Sequence, residues 1–315
     1  MSLVTGHVAA PTERDAPGWI VSCQQGLKML MAIGCLSVGG CGPQPNGGQD
    51  LVIAATGEPS VLVPPLIGET VGRDIADLVY ERLAQLRVGG SPIDTAAFAT
   101  GLASSWSRRD SLTWVFTLRS GATWHDGQAV TADDVIFSFA AYVDTALGTP
   151  ESSLEGVQVI ASGSGAVAIT FPRAYAEQLF DATYHVRIMP RHIWDSIPRS
   201  QWGADTSLAL LVGSGPYRIG QWTRGQSLIA ERVRGAGFQR VAWRFSGDQD
   251  AALNLALAGE ADVLETVTSP SARERAARDT TVTAVPYASA VIGYLGFRLE
   301  DPAGRPHPVL GDRLV

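Results

Sequence analysis

GLASSWSRRDSLTWVFTLRSGATWHDGQAVTADDVIFSF, residues 101–139, reads as a strand, two turns and a helix in succession. Leu112, Trp114, Phe116 and Leu118 alternate with Thr113, Val115 and Thr117, the period of a half-buried strand. Ser120-Gly121 and Asp126-Gly127 are turn dipeptides. Thr131 stands where a helix N-cap is expected, with Asp134 three residues on as the capping-box acid. Asp133 and Asp134 also suit the positive end of the helix dipole. Val135, Ile136, Phe139 and Val143 give that helix an apolar face.

Outward from this unit, residues 51–55 predict a short strand, and the Pro-rich stretch 57–66 is extended. Residues 69–86 predict a helix with Ile75, Leu78, Val79, Leu83 and Leu86 on one side. Residues 156–171 predict a β-hairpin with a Gly/Ser turn, and 190–197 a short helix. Beyond residue 212, strands are expected at 217–222, 226–231, 240–245, 261–264 and 289–299. Helices are expected at 248–259, ended by Gly259, and at 270–278. The result is an α/β chain.

The 315 residues are 45% hydrophobic with a net charge of −7, a globular composition large enough for two small domains or one large one. No arginine stripe alternates with aromatics, so nucleic acid is not an expected partner. Lys28 is the only lysine, which excludes a P-loop or Schiff-base lysine from the body of the chain. Cys23, Cys35 and Cys41 all precede residue 42, leaving the body without a disulfide framework, thiolate cluster or cysteine nucleophile.

The cysteines sit in an address-like segment. Residues 29–40, MLMAIGCLSVGG, follow Lys28 and are too short to span a bilayer. They fit the apolar region of a signal peptide spanning residues 1–40. Val38-Gly39-Gly40-Cys41 resembles a lipobox, so Cys41 is expected as the lipid-modified first residue of the mature protein. Residues 41–50 would be a flexible tether. Cys35 is a poorer second candidate, and Glu13 and Asp15 make the leader more acidic than such leaders usually are.

Three polar groups invite a catalytic reading, and each has a plainer one. His125-Asp126 reads as a turn, since no second spaced histidine or metal motif accompanies it. Gly213-Ser214-Gly215 lacks the nucleophile-elbow pattern and reads as a glycine turn. Asp133 and Asp134 are neighbours that do not face each other on a helix, and capping accounts for them.

The 101–139 unit resembles the signature region of the family 5 extracellular solute-binding proteins, the dipeptide, oligopeptide and nickel receptors of ABC importers. The matching words are LASSW (102–106), TWVFTLRSGATWHDG (113–127) and TADDVIFSF (131–139). VYERL (79–83), MPRHIW (189–194), GSGPYRI (213–219), ALNLALAGEADV (252–263) and YLGFRLEDP (294–302) resemble further family segments. The resemblance implies a type II periplasmic-binding-protein-like fold. Residues 51–67 and 212–300 would form part of domain I, with domain II inserted at 68–211. Residues 301–315 resemble the start of domain III, the remainder of which would be missing.

The resemblance also implies binding without chemistry: no cofactor, no metal and no catalytic residue. The cargo would be a peptide or similar small solute, the partners ABC permease subunits, and the location the periplasmic side of the cell envelope, held by the lipid on Cys41. Ligand contacts are expected at Glu58, Pro59 and Ser60 on the first cleft-lining loop, and at Ile292, Gly293 and Tyr294 on a cleft-facing strand. Arg298 departs from the asparagine usual in that strand. The alternatives are a non-functional truncated fragment of such a receptor, an extracytoplasmic hydrolase, and a structural lipoprotein.

Lipidation predicts that the N-terminal peptide recovered from membranes of the native cells begins at a diacylglyceryl-modified Cys41, and that Cys41→Ser moves the protein into the soluble fraction. Recovery of an uncleaved peptide running through residues 29–50 with a free Cys41 would sink this expectation.

Overall fold

In the computed structural model, residues 20–23, 50–148, 150–204, 207–285 and Arg305 are described. The first elements are β1 (Ile20–Cys23), β2 (Asp50–Thr56), α1 (Thr70–Val79), β3 (Ala84–Leu86) and β4 (Phe98–Thr100). Then come β5 (Ala103–Arg108), β6 (Thr113–Leu118), α2 (Ala132–Tyr142), β7 (Gln158–Ala161), β8 (Ala166–Thr170), α3 (Gln178–Tyr184) and α4 (Arg191–Trp194). The last are β9 (Tyr217–Thr223), β10 (Ser227–Arg232), β11 (Arg240–Ser246), α5 (Gln249–Leu257), β12 (Val263–Leu264), α6 (Pro270–Arg278) and β13 (Val282–Val285).

The strands form a seven-stranded sheet ordered β13-β1-β12-β2-β11-β10-β9, a four-stranded sheet ordered β5-β6-β8-β7, and the β3-β4 pair. In the larger sheet β2 runs parallel to both β11 and β12, and its other pairings are antiparallel. β1, from the residues read as leader, pairs with β12 and β13.

Alternation along β2 explains how this sheet is covered on both faces. Leu51, Ile53 and Ala55 join α1 on one face, while Val52 and Ala54 join α5 and α6 on the other. Against α1 the core is Val71, Ile75, Ala76 and Val79 with Leu228, Val241 and Trp243. α1 therefore packs with the sheet, although the boundary expected after Ile67 places it in the inserted unit.

The smaller sheet has its own core, in which Trp114, Phe116 and Leu118 of β6 meet Val135 and Phe139 of α2. The expected strand and helix are both present. Thr131 and Asp134 close the capping box, with Asp134 Oδ2 accepting from the Thr131 amide at 2.8 Å. Asp134 Oδ1 also accepts the Arg191 amide at 2.8 Å, which seats α4 on α2. α2 is buried more widely than one stripe, because Phe137 and Ala141 pack on a second cluster with Trp194 and Trp202.

One expected element is corrected. The helix predicted over 69–86 stops at Val79, and Tyr80 is already extended. The apolar period continues, but its residues divide between two cores. Ile75 and Val79 belong to the larger sheet, whereas Leu83 lies in the core of the smaller one. Leu86 then pairs with Phe98 across β3 and β4.

The chain returns beside this crossing. The Gly215 amide donates to the Val79 carbonyl at 2.7 Å. A Cβ on Gly213 would run into Val79 O, and one on Gly215 into Leu78 O. Asp77 adds a polar clamp, accepting from Arg187 Nε at 2.6 Å and pairing with Arg82 at 2.9 Å.

Gly215→Ala is expected to cost about 3 kcal/mol of unfolding free energy by denaturant titration, because backbone rather than a flexible side chain blocks the new methyl. Gly247 has open space around it, so Gly247→Ala should stay within about 0.5 kcal/mol. Equal effects would show that the crossing is not tight.

Candidate functional site

Three parallel strands end together on one edge of the larger sheet: β2 at Thr56, β11 at Ser246 and β12 at Leu264. The carboxyl ends of parallel strands are where open α/β sheets present ligand-binding loops. Past β2 the chain turns at Gly57, whose φ of +87° is the left-handed region and whose amide donates to Ser246 O at 2.9 Å. Glu58, Pro59 and Ser60 follow on this edge, and Glu265 directly follows the end of β12.

Glu58 is held by the β9–β10 hairpin. Its Oε1 accepts from Trp222 Nε1 at 2.7 Å, and its Oε2 accepts from the Gly225 amide at 2.7 Å. Arg224 pairs with the same carboxylate at 3.4 Å and stacks on Trp222, with its guanidinium carbon 3.5 Å from the ring centre. Pro59 is buried near Gly72 of α1. Ser60 is exposed, and its amide donates to Glu69 Oε1 at 3.3 Å. Of the expected trio, Ser60 is the one that faces solvent. Ile292, Gly293, Tyr294 and the lipidation candidate Cys41 lie outside the described residues.

Glu265 was not among the expected site residues. Val263 pairs with Ile53 and Leu264 with Ala54, so alternation turns Glu265 to the α1 face, with Ala55 and Trp243. There it meets Asp74 of α1. Burial, and then the negative charge of Asp74, push the Glu265 carboxyl up to about 7, against an opposing pull from Trp243. Burial and Asp77 likewise raise Asp74, offset in part by Arg187 and Arg73. Trp243 is 1% exposed, and its indole N–H has no hydrogen-bond acceptor at closed distance. The only sequence signal was an acid directly after a predicted strand, a common surface pattern.

His125, Asp126 and the 213–215 glycines form a structural knot. His125 Nδ1 accepts from the Gly213 amide at 3.2 Å, which leaves the ring proton on Nε2 to donate to Gly215 O at 2.9 Å. Asp126 pairs with His192 at 2.7 Å and accepts the Gln128 amide at 3.0 Å, with Gly127 at φ +89° completing the expected turn. Among the described residues no group of three or more His, Cys, Asp or Glu is placed to hold a metal ion, and no helix is long and apolar enough to cross a membrane.

The family model described as bacterial extracellular solute-binding proteins, family 5 Middle, matches residues 97–315. Among curated proteins, the chain is 29% identical over 171 residues to the probable peptide-binding protein YejA of Agrobacterium fabrum, covering 49% of this chain and 28% of the relative. It is 25% identical over 203 residues to the periplasmic oligopeptide-binding protein OppA of Escherichia coli, covering 58% and 36%. Among solved structures it superposes on the oligopeptide-binding protein AppA of Bacillus subtilis, in complex with a nonapeptide, with a TM-score of 0.64 and 23% identity. That match covers 75% of this chain and 47% of AppA. NikZ of Campylobacter jejuni, in complex with Ni(L-His), gives a TM-score of 0.58 at 22% identity, covering 73% and 45%. The solved relatives share the type II periplasmic-binding-protein fold. The chain thus spans less than half the length of each of these relatives.

Burial pushes the His125 imidazole below its ordinary range against the Gly215 hydrogen bond, with Arg234 and Arg218 adding to the depression. Its neutral form therefore stabilises the fold above a pH of about 6.5, and that contribution is lost as pH falls below it. Between pH 7.5 and 5 the native protein should lose about 2–4 °C more in melting temperature than His125→Gln. Parallel curves would show that another group titrates.

Proposed function

The chain belongs to the family 5 bacterial extracellular solute-binding proteins, and from that membership we propose that it captures peptides outside the cytoplasm and delivers them to an ABC permease. The single observation that carries the reading is the convergence of the β2, β11 and β12 carboxyl ends, in a chain of this family, on a loop bearing solvent-facing Ser60. Relatives named for peptide binding support the choice of cargo. The lipid on Cys41 would hold the receptor on the periplasmic side of the membrane, close to the permease.

In this reading no bond in the cargo is made or broken. Affinity comes from main-chain hydrogen bonds and apolar contacts in a cleft that closes on the ligand. The groups that might otherwise suggest a hydrolase are occupied: His125 by two backbone partners and Asp126 by His192. Glu58 keeps its loop in place through the β9–β10 hairpin rather than by offering a free charge. Pro59 backs that loop, and Ser60 is left to meet the ligand, with Ile292, Gly293 and Tyr294 as the further expected contacts.

Calorimetric titration of the protein from its own cells with tri-, tetra- and pentaalanine should give a saturable isotherm. Ser60→Trp should weaken it by about tenfold or more, a loss of about 1.4 kcal/mol or more. Absence of heat with every peptide, from protein that still melts cooperatively, would overturn peptide capture.

A further inference from the structure

A cavity of about 660 Å³ lies between the two units, within the size range of small-molecule sites. One wall is residues 64–68, which continue the loop that carries Ser60, together with Arg73 of α1. The other is built from the ends of α2 and α3, with Tyr142 and Leu147 from the first and Tyr184 and Arg187 from the second. Arg82, in the crossing between the units, completes the lining. The walls therefore combine three arginines with proline, leucine and tyrosine surface.

Two of these arginines are deeply buried, Arg187 at 7% exposure and the Arg82 side chain at 11%. They share one carboxylate, since Asp77 takes Arg187 Nε at 2.6 Å and Arg82 Nη2 at 2.9 Å. Arg187 also turns to the Arg73 carbonyl at 3.4 Å and to Tyr142, and Arg82 Nε donates to the Tyr184 carbonyl at 2.7 Å. Arg82 Nη1 has no acceptor among the described residues, and neither does the exposed guanidinium of Arg73. Burial, and then repulsion from Arg187, hold Arg82 below its usual range against the pull of Asp77. The acids nearby leave the wall positive. Glu151 is the one acid in the lining, and it is engaged by Ser153 and by His185 at 3.3 Å, with Asp181 on the other side of that ring at 3.2 Å. Asp74 and Asp77 act on the arginines from α1, but neither lines the cavity. An oxyanion in this space would supply the acceptors that the folded chain lacks.

We propose that this cavity takes a carboxylate group of the cargo, with Arg82 and Arg73 as its donors and Arg187 beside them. The proposal rests on the peptide-capture reading and narrows it to peptides that present a carboxylate between the two units, from an acidic side chain or from the C-terminus. The planar guanidinium fork matches the two oxygens of a carboxylate. Leu147 and the prolines of residues 64–68 leave apolar wall for the methylene groups that carry it. The chain as a whole has a net charge of −7, so a preference for an anion must come from a local site.

The test is calorimetry on the full chain from its own cells. Its peptide probes are Ala-Gln-Ala amide, which has no carboxylate, Ala-Gln-Ala, which has only the terminal one, and Ala-Glu-Ala amide, which has only the side-chain one. At least one carboxylate peptide should bind about tenfold or more tighter than Ala-Gln-Ala amide, and which one does so identifies the source of the group. Arg73→Glu, at an exposed side chain without partners, should erase that preference. Arg82→Gln should erase it too, in protein that still melts cooperatively; Arg73→Glu decides alone if Arg82→Gln folds poorly. Equal affinity of the three peptides for the native protein overturns the site and leaves peptide capture standing. A preference that survives Arg73→Glu also overturns it. If no peptide binds, peptide capture falls and glutarate decides the site alone. Saturable glutarate binding that is lost in Arg73→Glu sustains it, and absence of glutarate binding overturns it. Tighter binding of inorganic phosphate than of glutarate overturns the choice of a carboxylate.

Discussion

The close passage of residues 213–215 beneath the end of α1 is the constraint on which the two units depend. The Val79 carbonyl would otherwise be an unsatisfied helix-terminal acceptor, and it takes the Gly215 amide at 2.7 Å. That bond forms only because neither Gly213 nor Gly215 carries a Cβ. His125 then binds the same segment from the far side, accepting from one glycine and donating to the other. Three stretches distant in sequence are thereby held in one place: the end of α1, the turn before α2 and the entry to β9. The chain leaves the larger sheet and returns to it at this point, so a change here alters how both cores are joined.

The strength of the sequence reading followed how local its signals were. The 113–118 alternation and the Thr131–Asp134 box depend on neighbours within a few residues, and both are present. So is the helix expected at 248–259, present as Gln249–Leu257, where Asp248 accepts the Ala251 amide at 2.8 Å. The helix over 69–86 failed for a non-local reason. Ile75, Val79, Leu83 and Leu86 keep a helical period, but the first two serve one core and Leu83 serves another. Periodicity records that residues are buried, not that they are buried against the same surface. β3 and β4, at three residues each, were too short to carry an alternating pattern at all.

The candidate site shows the same division. The location of Glu58, Pro59 and Ser60 could be read, because a strand followed by a glycine turn marks a strand end. What each side chain does there could not. Glu58 meets Trp222 and Gly225 more than 160 residues later in the chain. Glu265 and Asp74 are further apart still, and only the parallel register of β12 on β2 turns Glu265 toward α1. Nothing local distinguishes it from Glu260 or Asp262 a few residues earlier. Those two are satisfied at the surface, Glu260 by Arg244 at 2.8 Å and Asp262 by the Val52 amide at 2.8 Å.

Glu58 and Glu265 show how bonding and burial set the state of two acids on one sheet. Both stand on the same edge of the sheet. Glu58 already accepts two short hydrogen bonds and an arginine, so a ligand donor would have to displace partners that it could only replace. The net gain from such an exchange is small. Glu265 is raised by burial and by the charge of Asp74, and Trp243 opposes that shift only in part. Trp243 and the apolar face of α1 belong to one core, which fixes the surroundings of both acids. The sheet thus holds one acid that sets the shape of the loop and another whose protonation is set by burial.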